Sequence, residues 1–325
     1  MTVKEKMINL FELNRGTYLS GEEIAKKLDV SRAAIWKAVN KLKEEGYPIK
    51  AVTNKGYCLS ENTDILSVQG IQKYLNAECD FLEMEMLPTV DSTNSYVWKK
   101  AGEGAGDGYT VIAREQAVGR GRTGRAFFSP KETGIYISTL LRPKDYNANQ
   151  ALQITTMAAV AICEAIEEVS DKHPQIKWVN DIFIHGKKVC GILTEASFSL
   201  ESGLLDYAVL GLGINVYPPM DGFPKEIEKI AGVVSENPKT DFKNQLVAAF
   251  LRHFVRYYKK AERKTYIQKY RDYSLLINKE IYVIQGKEKK KALAYDINED
   301  CQLLVRYENG TQEKLSYGEV QIVNQ

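Results

Sequence analysis

Apolar positions recur at helical spacing through the first forty-five residues. Met7, Leu10 and Phe11 fall on one face of a helix over residues 4–14. Ser20 with Glu23 predicts a capping box that opens a second helix burying Ile24, Ala25 and Leu28. Asp29-Val30 makes a tight break, and Ser31 caps a third helix with Ile35, Val39 and Leu42 on its inner stripe. The period then shortens. Ile49–Thr53 and Tyr57–Leu59 read as two strands joined by Asn54-Lys55-Gly56, whose Asn and Gly tolerate the positive φ of a hairpin turn. Ser60–Asp64 is polar and rich in turn formers, a linker. Strands and helices alternate beyond it. Leu82, Met84 and Met86 alternate with Glu83 and Glu85, and further strands are predicted at Tyr109–Ala113, Ile135–Leu141, Ile182–Ile184, Val189–Thr194 and Tyr207–Ile214. Helices are predicted over Ala151–Val169, Phe242–Tyr258 and Tyr266–Tyr273. After residue 275 only short strands remain, at Glu280–Ile284, Ala292–Ile297, Gln302–Tyr307 and Gln312–Leu315, which suggests a small β-barrel. Lys287–Lys291 reads as a solvated turn.

Charge sharpens the N-terminal picture. Residues 1–60 carry 11 Lys/Arg against 7 Asp/Glu, while the whole chain of 325 residues is nearly neutral at +2. The outer face of the third helix holds Arg32, Trp36, Lys37, Lys41 and Lys43, with no acid between Ser31 and Lys43. Three helices followed by a lysine-tipped hairpin are the outline of a winged helix-turn-helix that binds DNA. A packing module with a solvated basic face is the plainer alternative. With 26% charged and 44% hydrophobic residues, the composition is that of a globular protein. No run approaches the roughly 18 apolar residues of a membrane span, and the N-terminus lacks a signal-peptide core, so a cytoplasmic protein is expected. Five scattered cysteines and three histidines leave little material for a disulfide framework, a zinc site or histidine-centred hydrolysis.

Four segments carry candidate chemistry. In Gly119-Arg120-Gly121-Arg122-Thr123-Gly124-Arg125, glycines let backbone amides approach an anion and guanidinium forks grip phosphate or carboxylate. Its charges repel one another until an anion arrives, which predicts a loop that folds over a phosphorylated ligand. An RGG-like RNA-binding segment is the alternative. Lys177-Trp178-Val179-Asn180-Asp181 precedes Lys188-Val189-Cys190-Gly191, whose lysine leads into an apolar strand and needs a negative partner or a route to water. Asp181 could hold Mg²⁺, position an amine or, with Asn180, cap a turn. Asp91-Ser92-Thr93-Asn94 is a helix N-cap that also supplies small polar groups able to bind a urea or amide. Gly211-Leu212-Gly213-Ile214-Asn215 ends a strand with two glycines.

Taken in order, these pieces resemble the bifunctional biotin protein ligases that also act as biotin operon repressors, along essentially the whole chain. The resemblance implies an α+β fold of three domains: a winged helix-turn-helix over 1–62, a mixed-sheet catalytic domain over 65–273 and a small SH3-like β-barrel over 274–325. It implies that biotin and Mg-ATP form biotinyl-5′-AMP, which a lysine of a biotin carboxyl carrier domain, of acetyl-CoA carboxylase or pyruvate carboxylase type, then attacks. Ser92, Thr93, Asn94 and Gln116 would surround the biotin rings, and Arg120, Gly121, Arg122 and Lys188 its carboxyl end. Arg120, Arg122, Phe127, Asn180 and Asn215 would face the adenylate. Lys188, Arg122 and Asp181 would be catalytic, with Asp181 toward Mg²⁺ or the acceptor lysine. Gly21, Ser31, Arg32, Ala33, Trp36, Lys37, Asn40 and Lys55 would meet operator DNA, as a homodimer formed when the adenylate is bound. Val179 stands where the family usually has Pro, and Phe127 where many relatives have Trp. The alternatives are a ligand-sensing repressor without ligase activity and a lipoate-type acyl ligase.

Overall fold

The computed structural model describes residues 2–144, 146–260, 263–286 and 288–323. It divides into two compact units, residues 1–75 with 237–248, and residues 76–236 with 249–325.

In the first unit, α1 (Val3–Leu13), α2 (Gly21–Leu28) and α3 (Arg32–Glu44) precede the hairpin β1 (Ile49–Val52) and β2 (Gly56–Leu59) and a short helix α4 (Val68–Gln72). Each of the first three helices starts on a side-chain cap, from Thr2, Ser20 and Ser31. The Ser20 box closes on one side only. Its hydroxyl accepts from the Glu23 amide, while the Glu23 carboxylate pairs with Lys27 one turn on (2.9 Å). Met7, Phe11, Ile24, Ile35, Val39, Leu42 and Leu59 form the core. The hairpin tip takes its positive φ at Asn54 (63°) and Gly56 (97°). A Cβ on Gly56 would stand 2.0 Å from the Leu19 carbonyl oxygen, so the residue that turns the wing also lets it dock. The expected linker is only partly exposed: Glu61 and Asn62 face solvent, whereas Thr63 is buried and its carbonyl accepts from Arg15.

The second unit is built on a seven-stranded sheet in the order β3-β4-β5-β9-β8-β7-β6. Its strands are β3 (Glu83–Leu87), β4 (Tyr109–Ala113), β5 (Gly134–Leu141), β6 (Gln175–Lys177), β7 (Asp181–Ile184), β8 (Lys187–Phe198) and β9 (Leu205–Asn215), with α5 (Thr93–Gly102) and α6 (Ala148–Val169) between them. Only β3 and β4 run parallel; the rest are antiparallel neighbours. The clean alternation expected in β3 is absent, because the Tyr96 and Tyr109 hydroxyls reach Glu85 and leave it half-buried. After α7 (Phe242–Lys260) and α8 (Arg263–Asp272), strands β10 (Lys279–Gln285), β11 (Glu288–Ile297), β12 (Leu303–Tyr307), β13 (Gln312–Leu315) and β14 (Glu319–Ile322) form an antiparallel sheet in the order β13-β12-β11-β10-β14. Short β6 and β14 carried no sequence signal of their own. The lysine run is not a turn: Glu288–Lys291 pair with β10, while Lys287 lies outside the described residues. The side chains stay solvated, with Lys290 on Glu288 and Lys291 on Glu280.

Candidate active site

One row of directly paired residues crosses the large sheet: Lys177, Asp181, Gly191, Gly213, Tyr136, Ala113 and Leu87. Side chains alternate faces along a strand, so Gly191, Leu193 and Glu195 share one face of β8, and Gly211, Gly213 and Asn215 share that face of β9. The opposite face belongs to α6, whose Thr155 meets the Thr194 hydroxyl at 2.7 Å. The two glycines of the row pair with each other, and the Phe127 ring lies over them. A Cβ on Gly213 would come 2.3 Å from that ring, and one on Gly191 3.3 Å from it and 3.2 Å from Lys188 Nζ.

At one side of this bare strip sits a hydrogen-bonding cluster of amides and hydroxyls. Ser92 caps α5, and Thr93 donates its amide to Gln116 Oε1 (2.9 Å), which fixes the side chain that also donates to Ser129 Oγ (2.9 Å). The Ser138 hydroxyl donates to Asn94 Oδ1 (2.6 Å) and lies 2.7 Å from Thr93 Oγ1. Asn94 donates to Glu195 Oε2 at 3.0 Å. All four residues picked from sequence therefore come together, with Ser138, Ser129 and Glu195 as members the motifs did not name. Strand alternation is the signal that reaches Ser138, two residues from Tyr136 on β5, and Glu195, four from Gly191 on β8.

At the other side sit charges. Lys188 Nζ is 2.7 Å from Asp181 Oδ1, so its half-buried ammonium has met a carboxylate. Asn180 holds its own strand neighbour through Nδ2 to the Ile192 carbonyl (2.8 Å) and accepts from Arg122 (2.8 Å). Asn215 donates to the Gly232 carbonyl (3.1 Å), on the segment that pairs with Lys188 through Ala231. Burial holds the Lys177 ammonium below the usual lysine range, against the opposing pull of Asp181. Burial also pushes the Cys190 thiol up, which leaves it no thiolate to act as a nucleophile. The Trp178–Val179 peptide is cis. In place of a proline, tertiary bonds hold this box: Trp178 Nε1 donates to the Cys301 carbonyl and the Tyr270 hydroxyl to the Val179 carbonyl, each at 3.0 Å.

The arginine loop departs from expectation. Its guanidiniums do not face one another unpartnered but reach three different elements: Arg120 to Glu195 (3.0 Å), Arg122 to Asn180, and Arg125 to Glu319 of β14 (2.6 Å). Arg125 holds the Glu319 carboxyl below the usual range. Two backbone bonds, Gly121 to Arg125 (2.7 Å) and Phe127 to Gly119 (2.8 Å), close the loop across its base. Three separate acceptors disperse the charge that an anion was expected to neutralise.

Among the described residues no three His, Cys, Asp or Glu side chains gather as metal ligands. Asp181 is a single carboxylate already paired with Lys188, enough for one ligand of an ion that arrives on nucleotide phosphates and not for a dedicated cation cage. All five cysteines are free and buried. A separate surface cleft of about 600 Å³ is lined by Glu164, Glu167 and Glu168 of α6 with residues of α7 and α8, on the helices rather than on the glycine strip.

In the first unit, Arg32, Ala33, Trp36 and Lys37 project from α3 into solvent, Trp36 at 59% exposure, and Lys55 is exposed at the wing tip. Asn40 and Gly21 are half-buried. Ser31 is exposed, with its hydroxyl engaged as the α3 cap, and Arg32 pairs with exposed Glu22 at 3.0 Å.

A winged helix-turn-helix joined to a mixed sheet with a cationic loop, an amide cluster and a C-terminal antiparallel sheet defines a DNA-binding acyl-ligase class. Family models agree segment by segment: HTH domain over residues 3–58, Biotin/lipoate A/B protein ligase family over 86–215, and Biotin protein ligase C terminal domain over 276–323. The Bifunctional ligase/repressor BirA of Bacillus subtilis (strain 168) is 36% identical over 235 residues, 72% of this chain and 71% of the relative. That of Escherichia coli (strain K12) is 33% identical over 215 residues, 66% and 64%. A biotin protein ligase from Aquifex aeolicus solved with biotin and ATP superposes with a TM-score of 0.63 at 28% identity, covering 75% of this chain and all of that one. The chain belongs to the biotin protein ligase family, among its bifunctional ligase/repressors.

Proposed function

We propose that this protein activates biotin with Mg-ATP to biotinyl-5′-AMP, transfers it to a lysine of biotin carboxyl carrier domains, and represses transcription as an operator-bound dimer. One observation carries the catalytic reading. A neutral amide cluster (Thr93, Asn94, Gln116) and a cationic group (Arg122, Lys188) stand at two ends of a side-chain-free strip roofed by Phe127. A ligand with a cyclic urea at one end, an apolar ring and a carboxylate at the other matches that sequence of chemistries.

In the first step a carboxylate oxygen attacks the α-phosphorus while the bond to pyrophosphate breaks, its electron pair leaving with the pyrophosphate. Lys188, released from Asp181, and Arg122 stabilise the charge shared by carboxylate and α-phosphate. Mg²⁺, as part of the nucleotide substrate, screens the polyphosphate. In the second step the carrier lysine attacks the carbonyl, AMP leaves, and Asp181 orients the incoming amine and takes its proton. No nucleophile of the enzyme is required. Arg120, Arg122, Phe127, Asn180 and Asn215 line the adenylate, and Gly121 lies with Arg120 at the biotin carboxyl end. Gly21, Ser31, Arg32, Ala33, Trp36, Lys37, Asn40 and Lys55 form the DNA face, exposed at Ser31, Arg32, Ala33, Trp36, Lys37 and Lys55. Biotin, ATP and such partners place the work in the cytoplasm.

Transfer of labelled biotin to a carrier domain, with Mg-ATP, tests the reading. Wild type transfers, and Lys188→Ala loses about 10²-fold or more, the scale of removing one preorganised charge-stabilising group. Biotin binding without transfer would instead make the protein a ligand-sensing repressor.

A further inference from the structure

Lys177 is a cation at this site that the reaction above leaves without work. It ends β6 directly opposite Asp181, so both side chains project from the glycine-strip face of the sheet. It is half-buried and makes no ion pair among the described residues, since the Asp181 carboxylate is taken by Lys188 at 2.7 Å. Its ammonium lies 5.7 Å from the centre of the Phe183 ring, a contact that places the cation without neutralising it. Burial depresses its pKa, and the acids pulling the other way are Asp181 and Glu319. Among the described residues, the half-buried cations Arg122, Lys177 and Lys188 have one carboxylate between them, that of Asp181, while the exposed Arg125–Glu319 pair nearby is neutral as a pair, which leaves a surplus of two positive charges. A partly buried cation that lacks a counter-ion costs stability in the free protein, and an arriving polyanion offsets that cost.

The strand order says which part of the polyanion. The Lys188 ammonium reaches from Gly191 on β8 to Asp181 on β7, beside Phe127, whereas Lys177 stands on β6, one strand spacing or roughly 5 Å beyond Asp181 along the row. A triphosphate with its α-phosphate at Lys188 extends its far phosphates toward Lys177 and the Arg125–Glu319 pair.

We infer that Lys177 is the cation that receives the pyrophosphate leaving group in the adenylation step. This rests on the ligase reading. As the carboxylate oxygen bonds to the α-phosphorus, the bridging oxygen departs with its electron pair and no proton moves; the ammonium meets the charge that grows on that oxygen. Lys177 therefore serves the first half-reaction and not the second, in which the leaving group is AMP.

The test separates the two steps on the full-length protein. Biotin-dependent exchange of labelled pyrophosphate into ATP reads adenylation, and transfer from supplied biotinyl-5′-AMP to a carrier domain reads the second step. Lys177→Met lowers exchange about 30- to 100-fold, leaves transfer within about twofold of wild type, and binds biotin normally by calorimetry, while Lys177→Arg retains most of the exchange. Equal losses in both steps, lost biotin binding, or unchanged exchange in Lys177→Met would each overturn the inference. A wild type that neither exchanges nor transfers would remove the ligase reading itself.

Discussion

Gly213 shows how one missing side chain shapes the site. Its φ is unremarkable; what excludes a methyl is the Phe127 ring, 2.3 Å from where a Cβ would stand. Gly213→Ala must push Phe127 off the strip, and overpacking of this kind costs about 1–3 kcal/mol. The expected result is a biotin affinity reduced about tenfold or more by calorimetry, with Gly106→Ala, which meets nothing within 4 Å, as the silent control. The sequence exposes the glycine pair and the arginines but not their reasons. Gly191 and Gly213 are far apart in the chain and become neighbours only because β8 pairs with β9 in this register. Ser138 and Glu195 look like ordinary strand residues until α5 is laid over them.

At the scale of elements, local signals carried far. The helix caps at Ser20, Ser31 and Ser92 stand where short polar side chains precede apolar stripes, because a cap needs only the amides of the next turn. Strand β4 begins and ends where the apolar run does. The wing is a case where element and docking share one residue. Gly56→Ala would combine a φ of 97° with a 2.0 Å approach to the Leu19 carbonyl oxygen, detaching the hairpin from the helices. Operator binding by that variant should fall at least tenfold in a gel-shift titration, while biotin transfer to a carrier domain continues. Loss of transfer to the same degree would mean that the wing supports the catalytic unit. The arginine loop was the opposite case: its glycine spacing was legible, yet its resting state depended on Glu195, Asn180 and Glu319, which come from three distant stretches.

For the whole molecule, chain order and spatial grouping part company. Residues 237–248 join the N-terminal unit, where Asp241 pairs with Arg15 (2.7 Å) and Lys73 (2.6 Å), and Glu12 pairs with the same two cations. Asn244 donates to Asp241 (2.7 Å) and accepts from the Ser67 amide (3.1 Å), which satisfies the remaining polar atoms of a largely buried cluster. A segment that follows the catalytic sheet in sequence is thus built into the DNA-binding unit. The repressor reading requires that occupancy of the adenylate site change the association state, and a ligand shifts such an equilibrium only by binding one state better than the other. Sedimentation velocity of the full-length protein at micromolar concentration should give a monomer alone and a dimer with biotinyl-5′-AMP, and operator affinity should rise in step. Dimers of equal strength with and without the adenylate would refute adenylate-controlled repression.

The amino-acid sequence determined most of the succession of helices and strands, the wing, the basic face of α3 and the set of motifs at the site. These depend on interactions within a few residues: caps, side-chain period, and the backbone freedom of glycine. Only the tertiary structure decided which acceptor each arginine took, that Lys188 sits on Asp181, that Lys177 has no ion-pair partner among the described residues, and that residues 237–248 belong with the first seventy-five. Those outcomes turn on which strands become neighbours and in what register. That choice is made by packing the whole sheet against α5 and α6, and no local stretch of the chain contains it.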